Sequence, residues 1–207
     1  MTTSPPTEPS SEPPTEPPTE PFSAAPAAPT PPTVAWIERL ESITALDPFV
    51  RAIRPLADAL VADPGRRDLL RGTWLGHALH PVLTDVPIGL WTSAITLDLV
   101  GGRAARPAAR RLIGLGVLAA GPTALTGWAE FAGIGAREQR VGVVHAVANV
   151  VAVVGFASSW RARGRGQLLR GKALALAASA SMGAGGYLGG HLVSARKVSS
   201  RHPAFGD

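Results

Sequence analysis

Residues 141–160 read VGVVHAVANVVAVVGFASSW, twenty positions with one His and no formal charge. At about 1.5 Å per residue, a helix of that length crosses roughly 30 Å, the thickness of a bilayer's hydrocarbon. A soluble core helix as long would carry a polar face, and this one carries almost none. The pattern repeats on both sides. Residues 112–129 are free of formal charge, 173–193 are interrupted only by His191, and 81–100 form a further apolar stretch holding Asp85 and Asp98. The fold class expected is an all-α integral membrane protein, a four-transmembrane-helix bundle within 72–195.

The connections carry the basic residues. Arg103, Arg106, Arg110 and Arg111 follow the first stretch; Arg161, Arg163, Arg165, Arg170 and Lys172 follow the third; only Arg137 and Arg140 lie between the second and third. Nine positive residues against two would put the richer face in the cytoplasm. Arg66, Arg67, Arg71, Arg196, Lys197 and Arg201 flank the outer ends on the poorer face, however, and with them the counts are nine and eight, so the preference vanishes.

Outside the apolar core the chain changes character. Of the 207 residues 17% are charged, yet residues 1–33 hold 12 of the 20 prolines, four acids and no Lys or Arg. With Pro-Thr-Glu-Pro recurring, this stretch reads as a disordered, Pro-rich N-terminal tail, since it offers too little apolar surface to offset its ordering entropy. It lacks the basic start and apolar centre of a secretory signal. Residues 34–71 show helical spacing in two runs: Trp36, Ile37, Leu40, Ile43 and Leu46, then Phe49, Ile53, Leu56 and Leu60, ended by Asp63-Pro64-Gly65. Neither run can span a bilayer; both suit amphipathic interfacial helices that lie on the membrane or pack on the following domain. Residues 196–207 read as a polar C-terminal tail.

The absence of Cys excludes a disulfide framework, a zinc–thiolate centre, a cysteine-held iron–sulfur cluster and a cysteine nucleophile. One Tyr and five Phe make poor stacking platforms, so no nucleic acid is expected. No Gly-rich phosphate loop, Ser/His/Asp set or paired catalytic carboxylates appear, and no intrinsic catalytic activity is expected. Small residues at 173, 177, 181, 185 and 189 form a stripe that lets another helix approach closely, in this bundle or in a homo-oligomer. Pro87 and Pro122 lie inside the first two spans, where a local kink is expected.

Ionisable groups in hydrocarbon are costly, which makes each a functional candidate. With face A defined as the face where the first span begins, alternating spans bring His77, His80, Asp85, Glu130, His145, Asn149 and His191 within about 10 Å of that face. Asp98 lies at the opposite face B, within reach of Arg103 or Arg106. Two imidazoles from different helices can ligate a haem iron, so His80, His145, His191 and Asn149 are candidates for holding haem b or a quinone. His77, His80, Asp85, His145 and His191 are the candidate donors for a divalent metal. Spacing does not separate these options. A redox-associated module is one reading; a non-redox scaffold or anchor subunit, or a small proton-linked transporter, is the other.

The residues Gly76-His77-Ala78-Leu79-His80-Pro81, Pro87-Ile88-Gly89 with Asp98, Thr126-Gly127-Trp128, His145 with Asn149, and Tyr187-Leu188-Gly189-Gly190-His191-Leu192 resemble the bacterial membrane family catalogued as domain of unknown function 2231. The resemblance covers about 66–193 and implies a multi-pass protein of the bacterial inner membrane. The chain is also similar to actinobacterial members whose domain precedes a Rieske iron–sulfur module, and residues 34–71 resemble the stretch before that domain. The resemblance thereby implies electron transfer, with a separate Rieske-type redox partner because this chain ends at Asp207. Many relatives carry His at the place of Asp85. The usual Gly-Val motif after the last span is replaced here by 195–200, Ala-Arg-Lys-Val-Ser-Ser.

Overall fold

A backbone in hydrocarbon has to satisfy its own hydrogen bonds, and the apolar stretches do so as helices. In the computed structural model, which describes residues 29–205, these are α4 (Leu79–Val100), α5 (Arg106–Phe131), α6 (Ala136–Gly164) and α7 (Leu168–Gly190). Among the described residues there is no strand, only one isolated bridge between His77 and Arg201. The helices outrun the apolar stretches because the flanking arginines continue them: α5 starts at Arg106 and α6 runs past Arg163. Long basic side chains can sit on a helix end and still reach water.

Among the described residues three helices, α4, α5 and α6, are long and apolar enough to cross a membrane. Helix α7 is not among them, because Ala, Gly and Ser lower its hydropathy. Its buried side is nonetheless lined by Gly171, Ala175, Ala178, Gly185 and Leu188. Of the small-residue stripe, Gly185 is buried, Ser181 and Gly189 are half-buried, and all three meet α6, whereas Ala173 and Ala177 face outward. That stripe is therefore used largely within the chain. Both prolines lie within unbroken helix. Pro87 cannot donate to Leu83 O, and the Thr123 hydroxyl of α5 stands 3.1 Å from that carbonyl, a partner for the freed acceptor.

The two hairpins, α4–α5 and α6–α7, correspond position by position along their buried faces. Helices α4 and α6 run parallel in chain order, and positions 65 apart meet at three levels. His80 lies beside His145, with ring centres 6.2 Å apart and planes at 86°. Trp91 stacks on Phe156 at 4.2 Å and 9°. Asp98 pairs with Arg163. Equivalent positions touch only where a rotation axis passes between them, so the axis here runs along the bundle, as in parallel-repeat membrane proteins. A second constant offset carries the buried face of α5 onto that of α7: Ala109, Ile113, Gly116, Thr123 and Thr126 correspond to Gly171, Ala175, Ala178, Gly185 and Leu188. From the His level to the ion pair is about 27 Å at helical rise, close to the hydrocarbon thickness.

The ion pair corrects one expectation. Asp98 does not pair with Arg103 or Arg106. It lies on the inward face of α4 with Trp91 and Ala94, and α6 and α7 supply its partners: Arg163 Nη1 at 2.9 Å, Arg163 Nη2, and Lys172, whose Nζ is 2.6 Å from Asp98 O. Its side chain is 8% exposed and that of Arg163 3%. Ser159 links Arg163 Nε, at 3.1 Å, to Gly171 O, at 2.6 Å.

Among the described residues three α-helices, rather than two, precede the bundle. Asp63-Pro64-Gly65 ends α2 (Asp47–Leu60) and starts α3 (Pro64–Arg71), Asp63 accepting from the Arg66 N–H and Pro64 standing in the first turn. Helix α1 (Pro32–Ser42) packs Ile37 and Leu40 against Val141 of α6 and Leu188 of α7. The last two residues of the expected tail are its first helical residues; the tail up to residue 28 lies outside the described residues. Helix α2 turns Val50 and Ala57 inward and leaves Phe49 and Leu56 exposed. The C-terminal segment folds back over face A: Val198 N bonds to Leu192 O and His202 N to Gly76 O.

Candidate functional site

Four helices converge on two imidazoles near face A. His80 stands in the first turn of α4, and its Nδ1 donates to Thr123 O of α5 at 2.9 Å, with Thr126 Oγ1 at 3.4 Å. His145, from α6, donates from Nδ1 to Gly185 O of α7 at 2.8 Å. Thr123 and Gly185 are equivalent positions of the two hairpins, so both imidazoles are held in one way. A carbonyl partner fixes Nδ1 as the protonated nitrogen and leaves the Nε2 lone pair outermost, the usual state of a ligating imidazole.

Glycines make room for the rings. A Cβ on Gly127 would stand 2.8 Å from His80 Cε1, and one on Gly189 would stand 3.0 Å from His145 Cε1. These glycines are again equivalent. Asn149, one turn beyond His145, donates from Nδ2 to His145 Nε2 at 2.9 Å, and a Cβ on Gly185 would collide with its Oδ1. Both histidines are half-buried.

Of the expected site residues, the structure brings His80, His145 and Asn149 together and disperses the rest. His77 is exposed, its Nδ1 3.1 Å from Ala78 O. Asp85 faces outward from α4. His191 belongs to a different cluster, with Nε2 2.9 Å from Glu41 Oε1. The five-residue metal set is thus not assembled, and among the described residues no group of three or more His, Cys, Asp and Glu could hold a metal ion. The reason is helical phase. Depth along a span says nothing about which way a side chain points, and Asp85 and His191 share the level without sharing the face.

Glu41 was not singled out by the sequence, though it is the most enclosed acid at this end, its side chain 4% exposed. It comes from α1 and receives His191, Arg196 Nε at 2.6 Å and Arg196 Nη2. Burial would raise its carboxyl, but the hydrogen bonds from Arg196 and His191 overcome that and hold it below the ordinary value. Beside it Arg140 donates to Asp47 at 2.7 and 3.1 Å and to Glu41 O at 2.8 Å, which lowers the Asp47 carboxyl. These contacts tie the approach helices to the bundle. Glu130, at the end of α5, accepts from Ser200 N and Oγ through Oε2, while its buried Oε1 has no hydrogen-bond partner among the described residues.

The outer surface of the bundle is apolar, with Leu99 80%, Leu118 73% and Leu176 68% exposed, and Val147, Val150, Val151 and Val154 exposed along α6. Such a surface suits lipid rather than water. The sequence profile of the family described as "Predicted membrane protein (DUF2231)" matches residues 76–202, more than half of the chain. The chain belongs to this family. No curated protein and no solved structure matches it. The matched segment starts at Gly76, four residues before His80, and runs through the fold-back that ends at His202, so both hairpins and both imidazoles lie inside the family's domain. Like the family, the protein is a membrane protein, in contact with the bilayer through these outward faces.

Proposed function

We propose that this DUF2231 protein is a redox-associated membrane module in which His80 and His145 hold one haem b near face A, inside a bundle of four spanning helices that includes α7. The observation that carries the reading is the matched anchoring of the two imidazoles, each fixed through Nδ1 to a carbonyl of its own hairpin, so that Nε2 is the nitrogen that would ligate, on His145 once Asn149 releases it. Their ring centres, 6.2 Å apart, suit a shared ion. Ligation through His145 Nε2 would require Asn149 to release that nitrogen. Bound haem supplies one-electron chemistry. A zinc-type site does not fit, since two imidazoles and an amide fall short of its three or four protein ligands. The fourth span is supported by the equivalence of α7 with α5. The electron partner proposed is a Rieske-type protein, on the resemblance to members whose domain precedes such a module.

A second reading, a small proton-linked transporter, is favoured by one observation: polar pairs stand on the same axis at both faces, His80–His145 and Asp98–Arg163, with the Trp91–Phe156 stack between them. An optical spectrum separates the two. The full chain purified in mild detergent, with added haemin, should show a Soret band and a sharp band on reduction. A sample with no Soret band, no extractable quinone and no metal would refute the redox reading.

A further inference from the structure

At face B the outer surfaces of α5 and α6 form a groove of about 530 Å³. Its mouth carries Arg111 and Arg161, and Leu115, Leu118 and Ala157 line it further in. Seven residues of helix separate Arg111 from Leu118, so the apolar part extends about 10 Å toward the membrane centre. Trp160 forms one wall. It lies against α5 because position 114 is glycine: a Cβ there would stand 2.8 Å from Trp160 Nε1. The guanidinium of Arg110 covers the same indole at 5.1 Å.

Among the described residues no acid neutralises the mouth. The nine basic residues of this face, Arg103 to Arg111 and Arg161 to Lys172, stand beside a single carboxylate, Asp98. Arg163 and Lys172 already hold that carboxylate in the interior. Arg111 and Arg161 are exposed, and neither has an ion-pair partner among the described residues. The groove thus joins two uncompensated cations at the level of an interfacial Trp to an apolar channel running inward. That gradient matches an amphiphile with an anionic head, and basic pockets between spanning helices are a recurring form of lipid recognition.

We propose that this groove is a binding site for an anionic phospholipid, its phosphate between Arg111 and Arg161 and an acyl chain along Leu115 and Leu118. The site is independent of the histidines and of any cofactor they hold. A zwitterionic lipid fills the apolar part with no net charge to offer the arginines, and free phosphate meets only the mouth.

Delipidated full-length protein in phosphatidylcholine nanodiscs, titrated with phosphatidylglycerol and read by native mass spectrometry, tests this. Wild type should retain phosphatidylglycerol over phosphatidylcholine. R111Q/R161Q should weaken that retention about 10- to 30-fold. R103Q/R106Q removes the same charge from the adjoining loop and should leave most of it. L118W keeps both arginines and fills the channel; it should also lose retention, so the answer does not hang on one variant's folding. Equal retention of the two lipids by wild type, or equal loss in the loop and groove variants, would overturn the proposal. Full displacement of the lipid by millimolar inorganic phosphate would overturn it too, reassigning the mouth to a free anion.

Discussion

The α4–α5 and α6–α7 hairpins follow one backbone plan and fill it differently. On the axis the first contributes Trp91 and Asp98, the second Phe156 and Arg163, and each pair is complementary: ring on ring, carboxylate on guanidinium. At face A both contribute His, and the two imidazoles do not bond to each other; each bonds to its own hairpin. Complementary layers fasten the halves. At the His layer the rings meet edge to face with no hydrogen bond between them, so this layer fastens the halves less than the ion pair does.

The largest effect expected of breaking this comparison lies at the ion pair. R163L leaves Asp98 buried with Lys172 alone, and should cost about 3–5 kcal/mol in thermal or denaturant unfolding in detergent. Because 98 and 163 are equivalent positions, D98R/R163D should recover part of that loss; Lys172, close to position 98, keeps the recovery incomplete. If the exchanged protein is no better than R163L, the equivalence of the two positions fails.

The aromatic layer is next. W91A and F156A should each destabilise by about 3 kcal/mol, because each empties the same buried cluster with Ile113 and Ala178. Losses that simply add in W91A/F156A would mean the rings are not partners, since coupled rings give a double-mutant loss smaller than the sum.

The smallest effect is at the approach helices, outside the repeat. Glu41 is held below the ordinary carboxylate value by Arg196 and His191 against the cost of burial. A depressed carboxyl contributes stability in full above its unfolded pKa, and that contribution is lost as pH falls through the lowered folded value. Acidification below about pH 4 should therefore lower the wild-type melting temperature more than that of E41Q. Parallel pH profiles for the two proteins would show that the Glu41 cluster does not hold α1 to the bundle.

The membrane class was legible in the sequence because a helix-length run without charge is costly to keep in water and rare outside a bilayer. Three residues of the candidate site, His80, His145 and Asn149, were named from the sequence as well, since imidazole and amide groups at the ends of or inside apolar runs stand out. The metal set failed on Asp85 and His191 because sequence depth fixes level and not helical phase. Asp98 was assigned to arginines near it in sequence, whereas its inward face selects Arg163. The repeat itself left a faint trace: His80, Trp91 and Asp98 share their spacing with His145, Phe156 and Arg163. Only His is common to both triplets, and complementary partners do not look alike in a sequence. Glu41 gave no signal, because a Glu on an amphipathic helix ordinarily faces water.

The most direct test is haemin titration of wild type, H80A and H145A under identical conditions, read by absorbance. The paired-imidazole account predicts stoichiometric binding by wild type with a six-coordinate low-spin spectrum, and loss of that spectrum in both variants alike. Binding unchanged by either substitution, or lost in only one, would contradict it.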